Sequence, residues 1–140
     1  MSNLEHNHLI GQLIHKLRRM EREPRTFGEA GELTPSEMHT IEAIGCGDGI
    51  LMSELAKKLS ITKGAATQIV SRLEREHFVH RQAHPLDLRS VVVSLKERGE
   101  IAFKAHEVMS KALTDTLREE LGEEGYRSFE RGISKFIESL

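Results

Sequence analysis

A mostly α-helical chain of the α+β class, built around a winged helix-turn-helix, is the fold this sequence predicts. Three observations carry it. Residues 52–61 (MSELAKKLSI) and 62–78 (TKGAATQIVSRLEREHF) read as two short helices joined by a tight turn. Two strand-like runs then flank HPLDLR (84–89), which makes a basic hairpin. Longer amphipathic patterns stand before and after this block. In such a layout one helix enters a DNA major groove and the hairpin lies beside it.

The elements follow in order. A first helix over 4–22 is predicted by Leu9, Leu13, Leu17 and Met20 at spacings of three and four, with Leu4, Ile10 and Ile14 widening the stripe. Pro24, Gly28 and Gly31 break it, so 23–32 reads as a loop. Thr34-Pro35-Ser36-Glu37 is a helix start: Thr34 can cap the amide of Glu37, the Glu37 side chain can reach back, and Pro35 suits the first helical position. The glycine cluster GCGDG (45–49) ends that helix. A third helix over about 52–59 buries Leu55, Ala56 and Leu59, although no good capping residue precedes Met52. The fourth takes Thr62 as N-cap and buries Ala66, Ile69, Val70 and Leu73. VHRQ and SVVVSL carry strand character, with HPLDLR as the hairpin tip.

A fifth helix, about 96–121, lines one side with Ile101, Ala102, Ala105, Met109, Ala112, Leu113 and Leu117. At about 1.5 Å per residue it spans on the order of 35–40 Å. Gly122 should end it. A sixth helix over about 123–139 sets Tyr126, Phe129, Ile133, Phe136, Ile137 and Leu140 at helical spacing, a stripe too wide for a lone surface helix. A homodimer built from 1–32 and 100–140, around a winged helix-turn-helix at 33–99, is the economical arrangement of the single 1–140 domain.

The chain has 140 residues, enough for one packed domain. No apolar run approaches the roughly 18 residues of a membrane span, so no membrane partner is expected. MSNLEHNHLIGQ lacks the charged and apolar regions of a secretory signal, and a single cysteine suits a reducing, cytoplasmic setting. The net charge of −2 is unevenly spread. Residues 57–98 hold nine basic against four acidic groups, a net +5, which leaves −7 on the remainder. Such asymmetry focuses positive potential on one region and orients a protein on a polyanion.

With helices and hairpin laid out, the chain resembles the MarR (multiple antibiotic resistance regulator) family of bacterial transcription factors. The resemblance rests on LTPSEMHTIEAI (33–44), MSELAKKLSITKGAATQIVSRLE (52–74) and HPLDLRSVVVSLKERG (84–99). The last is similar to that family's wing pattern, Asp-Pro-x-Asp-x-Arg, a strand, then Leu-Thr-x-x-Gly. Pro85, Asp87, Arg89, Leu95 and Gly99 match it. His84 replaces the first aspartate, Leu88 stands where a second arginine is frequent, and Lys96 replaces the threonine. What the resemblance implies is a winged-helix homodimer that binds an inverted repeat in double-stranded DNA and is often released by a small ligand.

On the fourth helix Lys63, Thr67 and Ser71 form an i, i+4 stripe, with Gln68, Arg72 and Arg75 on the adjoining strip. Thr62, Lys63, Thr67, Gln68, Ser71 and Arg72 are therefore the expected DNA-reading set; an amide suits adenine, and a cation suits guanine or phosphate. Arg89 at the hairpin tip can enter a narrow minor groove. Asp87 would repel phosphate, and the resemblance implies that it pairs with a nearby arginine and holds the wing; an ordinary turn acid is the plainer alternative.

The resemblance also implies a small-molecule pocket, for which His15, His39 and Met109 are candidate lining residues, although each fits ordinary core or interface better. His39 resembles a ligand of the family's zinc-sensing branch, but the long helix offers only His106 with Glu107, short of the three or four groups zinc needs. His6 and His8 fit solvated residues. Cys46, between two glycines, carries no adjacent histidine or arginine to activate it. No phosphate loop, HExxH or GxSxG is present, so no catalytic residue, metal site or cofactor is expected. Two alternatives to a DNA-binding repressor remain open: a winged-helix protein–protein adaptor, and a zinc-sensing regulator of the same fold.

Overall fold

The computed structural model of the chain describes residues 3–140 and, of side chains, those from residue 8 onward. Leu4 and His6 thus lie outside the described side chains. Helix α1 (Asn3–Arg22) covers the predicted span. The segment after it is more ordered than a loop. Strands β1 (Arg25–Thr26) and β2 (Glu32–Leu33) pair antiparallel around one 3-10 turn at Gly28–Ala30. The reason is burial: Phe27, Ala30 and Leu33 all belong to the core, and three anchored apolar side chains fix a path that Gly and Pro alone leave open.

Helix α2 (Pro35–Ile44) starts as expected, with Thr34 Oγ1 accepting the Glu37 amide at 3.2 Å. The Glu37 side chain does reach back, to take the Thr34 hydroxyl proton at 2.8 Å. Gly45, at φ 70°, closes the helix. Strand β3 (Ile50–Leu51), which the sequence did not announce, runs antiparallel to β5 with Ile50 opposite Val93. Helix α3 (Met52–Leu59) begins without a side-chain cap, in keeping with its weak start signal. It buries Leu55 and Ala56 fully and Leu59 partly. Helix α4 (Lys63–Arg75) buries Ala66, Val70 and Leu73, with Ile69 partly covered.

The hairpin is longer than predicted. Strand β4 (Val79–His84) and strand β5 (Asp87–Leu95) leave only Pro85 and Leu86 as the turn, so His84 and Asp87 pair across the ladder and Leu88 and Arg89 lie within β5. The register places Arg81 opposite Val93 and His84 opposite Asp87, with an irregularity between Ala83 and His84. The three-stranded sheet has the order β3-β5-β4.

Helix α5 (Glu97–Ser139) carries non-helical angles at Gly122 (φ 72°, ψ 168°), the position predicted to end a helix. By its contacts the chain divides into a unit ending at Ala105 and a unit of His106–Leu140. The first holds the core, in which Ile41, Leu55, Val70, Leu73, Phe78, Val79 and Val93 are almost wholly excluded from water. In the second, the Arg118 guanidinium lies 4.7 Å from the centroid of the Tyr126 ring.

Gly99 shows how tightly the start of α5 is seated. The Lys96 amide donates to the Phe78 carbonyl at 2.9 Å, and a Cβ on Gly99 would collide with that same carbonyl oxygen and press on Leu95 at 3.2 Å. Gly99→Ala should therefore cost about 1–3 kcal/mol, the usual penalty for overfilling a packed site. Chemical denaturation measures it, and an unchanged midpoint would contradict this packing.

Candidate nucleic-acid interface

The turn between α3 and α4 is set locally. Ser60 adopts left-handed angles (φ 55°, ψ 42°) and its amide returns to Lys57 at 3.1 Å. Thr62 then caps α4 by accepting the Ala65 amide at 3.1 Å. With Ala66, Val70 and Leu73 turned into the core, the opposite side of α4 leaves Thr62, Lys63, Gly64, Gln68, Arg72 and Arg75 exposed.

Several of the expected DNA-reading groups already have partners within the chain. The Thr67 hydroxyl donates to the Lys63 carbonyl at 2.8 Å, which leaves its oxygen outward only as an acceptor. Ser71 is half-buried and accepts from Arg81 Nη1 at 3.2 Å. Arg72 stays largely exposed while its Nη1 stands 3.8 Å from Glu37 Oε1 on α2.

Two arginines that add to the basic segment are turned inward. Arg81 clamps Glu74 near the end of α4: its main-chain amide donates to Oε2 at 2.9 Å, and its Nε and Nη2 donate to Oε1 at 3.2 and 2.9 Å. This joins β4, the first strand of the wing, to α4. Arg98 donates from Nε to the Ala30 carbonyl at 2.9 Å and from Nη1 to the Glu76 carbonyl at 2.6 Å. Its guanidinium also sits 4.3 Å from the Phe78 ring centroid. Sequence reasoning counted both arginines as part of the surface charge. The signal it passed over was Glu74, an acid placed inside a basic segment seven residues before Arg81.

The wing is held by short-range bonds. Asp87 Oδ1 accepts the Arg89 amide at 3.0 Å and Oδ2 accepts the Ser90 hydroxyl at 3.2 Å. Asp87 thus meets Arg89 through its main chain, and the guanidinium pairing implied by the family resemblance is replaced by this turn geometry. His84 Nδ1 accepts the Leu86 amide at 3.1 Å, the bond a turn aspartate would make. The Arg89 side chain is exposed.

The remaining candidates are each exposed. His15 is exposed on α1. His39 is mostly exposed, its Nδ1 3.6 Å from Glu42 Oε2. Met109 is exposed in the second unit, and Cys46 is exposed with a free thiol. Among the described residues no three His, Cys, Asp or Glu side chains gather as metal ligands would. No described helix is long and apolar enough to cross a membrane.

A recognition-type helix with a polar, cationic outward side, braced to a two-residue-turn wing, defines a winged helix-turn-helix protein. Residues 33–91 match the profile of the MarR family. The multiple antibiotic resistance protein MarR of Escherichia coli is 27% identical over 130 residues, spanning 91% of this chain and 90% of that one. A crystal structure of a mutant of that protein with operator DNA is similar at TM-score 0.66 and 26% identity, covering 97% and 99%. Streptococcus pneumoniae FabT, crystallised with DNA, gives TM-score 0.79 at 21% identity over 98% and 96%. The transcriptional repressor MdtR of Bacillus subtilis is 25% identical over 72 residues, 51% of this chain and 46% of MdtR. Over residues 33–91, the helix-turn-helix and most of the wing, the chain is thus similar to the MarR family of winged-helix regulators.

The Glu74 carboxyl is held below its ordinary value of 4.5, chiefly by the side-chain hydrogen bonds from Arg81, while burial opposes the shift. A folded value below the unfolded one means that the unfolded chain takes up the proton first as pH falls. The clamp's contribution is therefore complete above the unfolded value and is lost as pH drops through the folded one. Glu74→Gln should flatten the acid limb of a stability-against-pH curve followed by denaturant unfolding. An identical acid limb in both proteins would contradict the pairing.

Proposed function

We propose that the chain is a homodimeric transcriptional repressor that binds an inverted-repeat operator in double-stranded DNA and is released by a small ligand. The observation that carries this reading is the outward side of α4, where Lys63, Gln68 and Arg72 are exposed together, with Arg89 exposed on the wing that Arg81 braces to the same helix. Thr62, Thr67 and Ser71 complete the proposed contact set, as short hydroxyl side chains that let the helix approach base edges. In support, the two relatives crystallised with DNA share this fold over nearly their whole length, and MdtR is named a repressor.

Dimerisation through 1–32 and 100–140 is supported by apolar side chains left open to solvent. On α1 these are Leu9, Ile10, Leu13, Ile14, Leu17 and Met20; late in α5 they are Phe129, Ile133, Phe136 and Ile137. Contiguous apolar stripes of this kind on a monomer mark an interaction surface. In a two-fold dimer the two copies of α4 need a separation of about 34–36 Å, one turn of DNA, to enter successive major grooves. An adaptor that binds protein would instead present apolar side chains at the centre of the α4 surface.

Binding to duplexes selected from a random-sequence pool tests the reading. Affinity should fall steeply with added salt through counterion release, and Arg89→Ala should weaken it by about 1–3 kcal/mol, the cost of one groove contact. Failure to select any duplex, or binding indifferent to salt, would overturn it. Adding candidate small ligands to the same complex tests release.

A further inference from the structure

We infer that the wing apex is an apolar wedge, with Leu86 entering the minor groove at a deformable base step and Leu88 packing on the groove wall beside it. The inference rests on the DNA-binding reading above and adds to it a specificity-determining contact that is not electrostatic.

Leu86 is 92% exposed and Leu88 is 82% exposed, the highest values among the described large apolar side chains of the first unit. Each forgoes the stabilisation that burying a leucine yields. Solitary exposed leucines are ordinary on protein surfaces. Here, however, two stand at the end of one hairpin, Leu86 in its two-residue turn and Leu88 at the start of β5.

That apex is held rigid. His84 fixes the Leu86 amide, Asp87 fixes the Arg89 amide and the Ser90 hydroxyl, and Pro85 restricts the chain between them. A side chain presented by an ordered turn inserts at little further conformational cost, and that order separates a wedge from a flexible loop.

The surroundings select nucleic acid as the occupant. Arg89, adjacent to Leu88 and exposed, supplies a cation for phosphate or for the negative potential of a narrow minor groove. The whole hairpin lies inside the segment of net charge +5. It is also continuous through the Glu74–Arg81 clamp with the α4 surface proposed for the major groove. A leucine bordered by a cation on a protruding tip suits the known use of apolar side chains to unstack a base step from the minor-groove side. Pyrimidine–purine steps yield most readily, so the step beneath the wing should be TA or CA/TG.

The test uses the full-length protein and the tightest duplex recovered from a random-sequence pool, with 2-aminopurine placed at each step under the wing in turn. Wild type should raise the fluorescence of the probe at one step, the signature of unstacking. Leu86→Ala should abolish that rise and lower affinity by about tenfold, as expected for losing most of a buried leucine. Leu86→Met, which keeps the apolar bulk, should restore both. Because Leu86 touches water in the free protein, neither substitution should alter the unfolding midpoint, and that is measured alongside.

Unchanged fluorescence and affinity in Leu86→Ala, while Arg89→Ala still weakens binding, would overturn the wedge and leave the DNA reading standing. A Leu86→Ala variant that changes only the association state of the free protein would also overturn it, by making the tip a contact between copies. If wild type selects no duplex, both readings fail together.

Discussion

The pairing of Glu74 with Arg81 is the constraint on which the rest of the proposed interface depends. A helix that reads a groove and a hairpin that reads the next one are useful only at a fixed mutual angle. Here that angle is set by a carboxylate near the end of α4 that receives three N–H donors from one residue of β4. The same guanidinium also reaches Ser71, one turn earlier. Arg98 adds a second brace from the start of α5 to the carbonyl of Glu76 and to that of Ala30 before β2. Helix α4, the wing and the chain entering α2 are thereby tied together within the first unit.

The electrostatics of the segment follow from this division of labour. A net +5 does not mean that every cation is free for phosphate. Arg81 neutralises Glu74 and Arg98 is spent on carbonyl oxygens and the Phe78 ring. Lys63, Arg75 and Arg89 remain exposed, and Arg72 stands within 3.8 Å of Glu37 without being enclosed by it. The proposed DNA-facing charge is thus smaller and better placed than the composition suggests. Apolar groups at the wing apex make sense in that light, since the interface cannot draw on charge alone.

Much of the fold was legible because helices announce themselves over many residues. The spacing in α1, α4 and α5, the Thr34 and Thr62 caps and the Gly122 break all appear where periodicity and capping chemistry put them. Strands β1, β2 and β3 were not legible. Each has two residues, too few to show alternation, and each exists because of a partner distant in sequence, as Ile50 does opposite Val93. The wing boundaries slipped for a related reason: Asp87 looks like a turn residue until its pairing with His84 of β4 is seen. Of the candidate site, residue types on the outward side of α4 could be read from the sequence, but their partners could not. Nothing in the spacing says that Ser71 serves Arg81, that Thr67 donates to Lys63, or that Asp87 holds a main-chain amide rather than a guanidinium. Such bonds depend on how elements meet, and a single sequence records that only indirectly.

Methylation interference on a selected duplex addresses the central claim most directly, because dimethyl sulfate marks guanine N7 in the major groove and adenine N3 in the minor groove. The account predicts two blocks of guanine N7 interference one helical turn apart, each flanked on its outer side by adenine N3 interference beneath a wing. Interference confined to one groove, or a single unrepeated block, would contradict an interface in which α4 and its braced wing act together and in duplicate.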